Sequence, residues 1–389
     1  MIFYNYLTGY NNSMKLPSIF SRIFKKPEGS ILGIDVGSSS IKIVQLRKKG
    51  ETATLETYGE LSLGPYAGGS VGQSTNLPTE KIIEALNDLL KEKEVNISTK
   101  SAAFAIPFAS SLMSLIQIPD VPMKELQNLI PIEARKYIPI PIAEVALDWS
   151  IIPRDDTSIE DNPEGTTTFQ KPKEKALDIL LVAIHNTVLQ KYQSIVTGCG
   201  LEASFFEIEI FSTMRAVLDE TIAPVMIFDM GASTTKLYIV ERGIVRLSHT
   251  VNRGSHDITV AISKSMGLAL DRAEVMKRTV GLGGGEDKDM SDIVHLSLDY
   301  IFAEANRVIL NFERKYNKNL KKIIFVGGGS ALKGLAELAQ NNFETPVETS
   351  DPFAKIEAPA FLEQALKETG PEFAVAIGLA LRKLREGGE

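Results

Sequence analysis

Apolar runs of strand length and stripes at helical spacing alternate along the chain from Ile31 onward. Residues 31–50, ILGIDVGSSSIKIVQLRKKG, give an apolar run, a glycine-serine turn and a second apolar run, which predicts two buried strands joined by a tight turn. A third strand is expected over 51–63, followed by a glycine-rich loop over 64–76. Residues 77–94 place Ile82, Ile83, Leu86, Leu89 and Leu90 at helical spacing, with Pro78 outside the helix and Thr79 as its cap. Residues 101–106 read as a buried strand.

The pattern changes at Pro107. Proline recurs at Pro119, Pro122, Pro131, Pro139 and Pro141, so a small inserted subdomain is expected, with a helix between extended, proline-bounded ends. It continues through a strand near Leu147 and a polar loop over 154–173. The run DILLVAIH at 178–185 is then read as the return to the parent sheet, followed by a helix over 186–197.

A second unit begins at Pro224. Its VMIFDMGASTTKLYIVERGIV repeats the opening, and Asp35, Gly37, Ser39 and Lys42 fall without gaps on Asp229, Gly231, Ser233 and Lys236, both segments reading D-x-G-x-S-x-x-K. The two copies lie too far apart for a solenoid repeat and suit a duplicated domain whose halves face each other. Helices are expected over 257–266, 271–279 and 291–316, with the glycine loop GLGGGEDKD between the last two. KKIIFVGGGSALKGLAELAQ reads as strand, triple-glycine turn and helix, and a final helix over 371–385 presents Phe373, Val375, Ile377, Leu379 and Leu384.

Composition narrows the class. At 44% hydrophobic and 23% charged residues, the 389-residue chain is neither disordered nor fibrous, and about 150 residues per domain predicts two to three domains. A net charge of -7 predicts no general attraction to nucleic acid or anionic lipid. The single cysteine, Cys199, excludes an internal disulfide and a cysteine metal cluster, which points to a reducing, cytoplasmic setting. Neither a secretory signal nor a span of about 20 apolar residues is present. Near the start, Phe20, Ile23 and Phe24 with Arg22, Lys25 and Lys26 form either a short basic amphipathic turn or a frayed leader.

The turns carry the candidate chemistry. A glycine-serine turn between two strands gathers backbone N–H groups and hydroxyls around a concavity that suits phosphate oxygens, although ordinary hairpins favour the same residues. Gly37 and Gly231 allow close approach, Ser38, Ser39 and Ser40 with Ser233, Thr234 and Thr235 add hydroxyls, and Lys42 and Lys236 add charge. Two matching turns can close on one polyphosphate from opposite sides. Asp35 and Asp229 end buried strands, where an unpartnered carboxylate is costly. Either both face the cleft and hold a hydrated Mg²⁺ bridging the phosphates, or each caps its own turn. The triple glycine Gly327, Gly328 and Gly329 lets backbone approach a ring or ribose. No dinucleotide fingerprint or Walker loop occurs, so Rossmann dehydrogenases and P-loop NTPases are excluded, and His185, His249, His256 and His295 show no paired ligand spacing, which gives a metal hydrolase poor support.

In their order, the turns at 35–42, 229–236 and 327–334 resemble the two phosphate motifs and the adenosine motif of the actin-like ATPase superfamily. LGIDVGSSSIKIVQL, IPIEARKYIPIPIAEV and FFEIEIFSTMRAV further resemble the PilM family of type IV pilus assembly, relatives of the division protein FtsA, and the likeness runs over about 31–384. The resemblance implies an α/β actin-like fold of two duplicated halves around a nucleotide cleft, each half with a smaller insertion. After a leader over 1–29, the first half would take 30–106 and 178–222, with the 371–385 helix packing back and the insertion over 107–177. The second half would take 223–255 and 320–370, with a helical insertion over 256–319.

The resemblance also implies ATP and Mg²⁺ as cofactors. Phosphate contacts would come from Gly37, Ser38, Ser39 and Ser40 and from Gly231, Ala232, Ser233 and Thr234, and adenosine contacts from Gly328, Gly329 and Ser330. Glu274 and Lys277 match the A-E-x-x-K helix that reaches ribose and adenine; an exposed i,i+3 pair is the alternative. Gly254 is kept, while Ser255 stands where relatives often carry a second glycine, which strains backbone approach. For hydrolysis, Glu207 or, as the preferred residue, Glu209 would orient water, against a salt link or helix-start role. The implied partner is the N-terminal cytoplasmic segment of a PilN-like inner-membrane protein, in a groove bordered by residues 103–109 and 130–142, with pilus motor ATPases as further contacts. Attachment to the inner membrane would then be peripheral and indirect. Two other readings stay open: an FtsA-like polymerising division protein, whose C-terminal amphipathic anchor the ending LRKLREGGE does not match, and a small-molecule kinase of the same superfamily.

Overall fold

The computed structural model describes residues 29–152, 176–219, 222–282 and 288–386. The basic segment at 20–26, the polar loop at 154–173 and the middle of the 281–289 glycine loop lie outside the described residues. The chain divides into two compact units, one taking in 108–152 with 176–190 and the other the remaining described residues.

The larger unit contains two five-stranded sheets of the same topology. In the first, β1 (Ser30–Val36) is central, antiparallel to β2 (Ser40–Lys49) on one side and parallel to β4 (Ser101–Ile106) on the other. β3 (Thr52–Ser62) and β8 (Glu202–Ile208) complete the order β3-β2-β1-β4-β8. In the second, β9 (Val225–Met230) is central between antiparallel β10 (Thr235–Glu241) and parallel β12 (Ile323–Val326), with β11 (Ile244–Val251) and β13 (Val347–Thr349) outside. Its order β11-β10-β9-β12-β13 reproduces the first, so the D-x-G-x-S-x-x-K repeat marks a duplicated half. β1, β2, β4 and β9 bury both faces, which is why they read as continuous apolar runs.

Helix α1 (Thr79–Lys91) covers the first sheet through Ile82, Ala85, Leu86 and Leu89. Thr79 is its first residue and not its cap: Pro78, extended at φ -64°, ψ 158°, occupies that place and makes no side-chain cap bond. The edge strand β3 is covered by the C-terminal segment, where Leu55 N–H donates to the Glu357 carbonyl and Glu357 N–H to the Ala53 carbonyl, both at 2.8 Å. That pairing removes an open sheet edge.

Three expected boundaries shift. Helices α5 (Ser255–Met266) and α7 (Lys288–Tyr316) do not build a core of their own: Ile258, Ile262, Val294, Leu298 and Phe302 share one cluster with Phe228, Leu237, Ile239 and Phe325 of the second sheet. A helix with one apolar stripe buries it on the nearest apolar face, and here that face is the sheet. The last helix, α9 (Glu363–Glu386), starts well before Pro371 and carries that proline inside. Two glycines let it pack at backbone distance. A Cβ on Gly378 would stand 1.9 Å from the Ser212 carbonyl of α4 (Glu209–Val217), and a Cβ on Gly33 of β1 would stand 2.0 Å from the Ala376 carbonyl.

The smaller unit is a three-stranded antiparallel sheet, β5 (Ser111–Pro119), β7 (Ala176–His185) and β6 (Val145–Ile152), in that spatial order. α2 (Met123–Ala134) lays Leu126, Ile130 and Ala134 on Ile116, Ile118, Ile179 and Leu181. The run 178–185, expected to rejoin the parent sheet, is therefore the middle strand of the insertion. A strand between two others is shielded on both edges and reads as uninterrupted apolar sequence in either sheet, so its pattern does not name its partners. The chain rejoins the larger unit only along α3 (Asn186–Gly198).

Candidate functional site

The two repeated hairpins close in the same way. Gly37 N–H donates to the Ser40 carbonyl at 3.0 Å around Ser38 and Ser39, and Gly231 N–H donates to the Thr234 carbonyl at 3.0 Å around Ala232 and Ser233. The register sets an aspartate directly opposite a lysine in each, Asp35 against Lys42 and Asp229 against Lys236, so each pair shares one face of its sheet. The charged ends of the two hairpins lie close enough for Asp35 to feel the charges of Lys42, Glu209, Lys236 and Asp229.

Around the second turn, Lys236 Nζ lies 2.7 Å from Glu209 Oε1 and 3.8 Å from Asp229 Oδ2. Burial works against the lysine charge, but Glu209 and Asp229 outweigh it and hold Lys236 above the usual lysine range. Around the first, Lys42 Nζ donates to Ser40 Oγ at 2.6 Å and lies 3.1 Å from Glu60 Oε1 and 4.0 Å from Glu372 Oε2. Half-buried Asp35 has no ion pair within 4 Å among the described residues, and burial pushes its carboxyl up to about 6. Burial also raises Asp229, against the pull of Lys236.

Asp35, Asp229 and Glu209 thus face two lysines, of which Lys42 is already shared with Glu60 and Glu372. The surplus negative charge suits a cation. Among the described residues no three acidic, histidine or cysteine side chains group tightly enough to ligate a metal directly.

Of the two glutamates expected to orient water, Glu209 pairs with Lys236 of the second hairpin and Glu207 is engaged elsewhere. The Glu207 carboxylate is buried among Arg215 Nη2 at 2.8 Å, Arg382 Nη1 at 2.8 Å and the Ser212 hydroxyl. Burial raises its pKa, but Arg215 outweighs that and holds it below the usual carboxylate range. This ion triad joins the end of β8 to α4 and α9.

Gly254 supports the second turn. Ser255 N–H donates to the Gly231 carbonyl and His256 N–H to the Ala232 carbonyl, both at 2.9 Å, and a Cβ on Gly254 would stand 2.4 Å from the Ala232 oxygen. The Ser255 carbonyl accepts from Lys277 Nζ at 3.1 Å.

On α6 (Leu270–Thr279), Glu274 and Lys277 are buried and not a solvated pair. Lys277 Nζ lies 2.6 Å from Glu274 Oε2 and donates to Thr259 Oγ1 at 2.9 Å, while Arg278 Nε lies 2.8 Å from Glu274 Oε1. Burial favours neutral Glu274, yet Lys277 and Arg278 keep it below the usual range; burial depresses Lys277. Gly72, at φ +79°, brings the 64–76 loop onto this helix, where a Cβ would stand 2.6 Å from Glu274 Cδ.

In the triple glycine, a Cβ on Gly327 would meet Asp229 Oδ1 at 2.6 Å and one on Gly329 would meet Met230 Cγ at 2.4 Å, so these two pack against the end of β9. Ser330 is buried and its Oγ donates to the Gly327 carbonyl at 2.6 Å. Gly328 is the exposed member, and its nearest neighbour is Glu372, with Oε2 3.3 Å from its Cβ position. Glu60, Glu372, Arg278 and Gly72 are site residues that no sequence motif singles out. Glu60 has a faint signal, since β3 places it opposite Lys42 in register, but Glu372 comes from a helix remote in sequence.

No helix among the described residues is long and apolar enough to cross a membrane. Comparison with known proteins agrees with the duplicated architecture. The structure of a PilM-PilN type IV pilus biogenesis complex is similar at TM-score 0.74 and 24% identity, over 92% of this chain and 99% of that one. MreB5 of Spiroplasma citri bound to ADP is similar at TM-score 0.51 and 11% identity, over 93% of this chain and 98% of that one. Cell division protein FtsA of Neisseria meningitidis is 24% identical over 378 residues, 89% of this chain and 88% of its own length. The fold is the actin-like ATPase fold. A sequence model of the family described as type IV pilus assembly protein PilM matches residues 33–384, and this chain belongs to that family.

Proposed function

We propose that this protein is a nucleotide-dependent scaffold of the type IV pilus machinery that binds Mg·ATP between its two hairpin turns. The observation that carries the reading is the pair of facing turns with matched Asp–Lys pairs, Asp35 with Lys42 and Asp229 with Lys236. Such turns aim N–H groups and hydroxyls at phosphate oxygens, and the surplus carboxylates take a hydrated Mg²⁺. Support comes from the fold neighbour bound to ADP. Gly37 to Ser40 and Gly231 to Thr234 hold the phosphates, Gly328 with Glu274 and Lys277 borders the adenosine, and Glu209 orients water in a hydrolysis slow enough for a switch.

The partner is the N-terminal segment of a PilN-like membrane protein, supported by the complex in which the PilM-type neighbour was solved. Nucleotide draws the two halves together and so changes what the scaffold presents to that peptide, and attachment to the inner membrane on its cytoplasmic side comes through the partner. Capture of a PilN-like N-terminal peptide, with and without Mg·ATP, tests this. Capture that differs between the two states is expected. No capture in either state, together with phosphorylation of a small substrate, overturns the scaffold in favour of a kinase.

A further inference from the structure

Lys42 is the phosphate-facing lysine of the first turn, yet two carboxylates hold its ammonium group. Glu60 Oε1 is 3.1 Å away and Glu372 Oε2 4.0 Å away. The two acids differ in where they stand. Glu60 belongs to the same sheet, opposite Lys42 in register, and turns with it. Glu372 comes from α9 and also lies beside Gly328, 3.3 Å from its Cβ position, so it spans from the first phosphate turn to the adenosine turn. Its place is fixed from the backbone side, because Gly327 N–H donates to the Pro371 carbonyl at 2.9 Å. The next turns of α9 are fixed as well: Gly378 packs on Ser212 and Arg382 joins the Glu207 triad.

We infer that Glu372 is an affinity-setting residue of the nucleotide site, a carboxylate that competes with phosphate for Lys42 and keeps nucleotide binding weak and reversible. The inference rests on the proposal that nucleotide occupies this cleft. A phosphate oxygen arriving at Lys42 meets a negative charge a few ångströms away, in a partly desolvated place where like charges repel strongly. Binding therefore requires the Glu372 side chain to swing off Lys42, and the cost rises with the number of phosphates. Glu372 serves as a positioning and selectivity residue, favouring ligands that bring a cation with them.

Equilibrium titration of the full chain with Mg·ATP, Mg·ADP and adenosine, for wild type, Glu372→Gln and Glu372→Ala, tests this. Removing the charge is expected to tighten Mg·ATP by about tenfold or more, Mg·ADP by less, and adenosine not at all. A residue that merely shaped the pocket would move adenosine together with the nucleotides. Equal or weaker Mg·ATP binding in both variants, with wild type binding normally, overturns the inference and leaves the nucleotide site standing. Failure of all three proteins to bind any nucleotide overturns both. Circular dichroism melting of each variant shows that the comparison is made on folded protein.

Discussion

Asp35 is the residue at which burial and function oppose each other most clearly. Its carboxyl has a folded pKa of about 6 against an ordinary 3.8, because burial disfavours the charged form. The native state therefore keeps its proton where the unfolded chain has released it. Stability falls as pH rises from about 4 to about 6, and the penalty is complete above that. Asp35→Asn is expected to stabilise the ligand-free protein at pH 7 to 8 by about 1–3 kcal/mol and to lose that gain below about pH 4, read by urea unfolding across pH. In the proposed Mg·ATP site the same variant should weaken Mg·ATP binding at least about tenfold, because it would remove a carboxylate offered to the hydrated cation. Gly254 works through space and not through charge. Gly254→Ala would drive a methyl to 2.4 Å from the Ala232 oxygen, and a loss of about 1–3 kcal/mol in thermal or denaturant unfolding is expected, with weaker nucleotide binding because the second turn shifts.

At the scale of elements, α9 ties the molecule's chemistry together. Glu372 lies beside Lys42 of the first hairpin, and the turns after it pin β8 and α4 through Arg382 and Gly378. The Glu207 triad is a buried charge set that is costly to break on one side. Glu207→Gln removes the negative charge that Arg215 and Arg382 share, and a loss of about 3 kcal/mol or more is expected by denaturant unfolding. Because Glu207 is held below its ordinary 4.5, its contribution is present above about pH 4.5 and disappears as pH falls through the lower folded value. Glu209→Gln should behave differently: less loss of stability, since Lys236 retains Asp229, and a slowed hydrolysis if ATP turnover is followed.

At the scale of the whole molecule, two sheets of one topology bring the charged ends of their matched hairpins close together, so a ligand bridging both turns would couple to the stability of the larger unit. Mg·ATP at about a hundred times its dissociation constant should add about 2.7 kcal/mol to unfolding, raising the melting temperature, and should protect the larger unit from limited proteolysis. Adenosine alone spans fewer of these groups and should protect less. Vesicles without a membrane-protein partner should not retain the chain, because net charge -7 opposes anionic lipid.

The duplicated hairpins, their repeated Asp and Lys positions and the glycine turns were legible because each depends on residues close in sequence, where alternation, turn chemistry and a repeated motif act locally. Family membership followed from those same segments. What the sequence could not specify was which distant surfaces meet. The 178–185 strand carries the same apolar pattern in either sheet, and α5 and α7 show an apolar stripe without saying that the second sheet receives it. Glu372 reaches Lys42 from a helix far from that hairpin in sequence. Glu207 and Glu209, two residues apart, part company because the chain passes from β8 into α4 between them, and the change of backbone turns their side chains to different partners. Local chemistry wrote the two repeated turns into the sequence, whereas the charge balance around them arises from long-range packing and exists only in the folded chain.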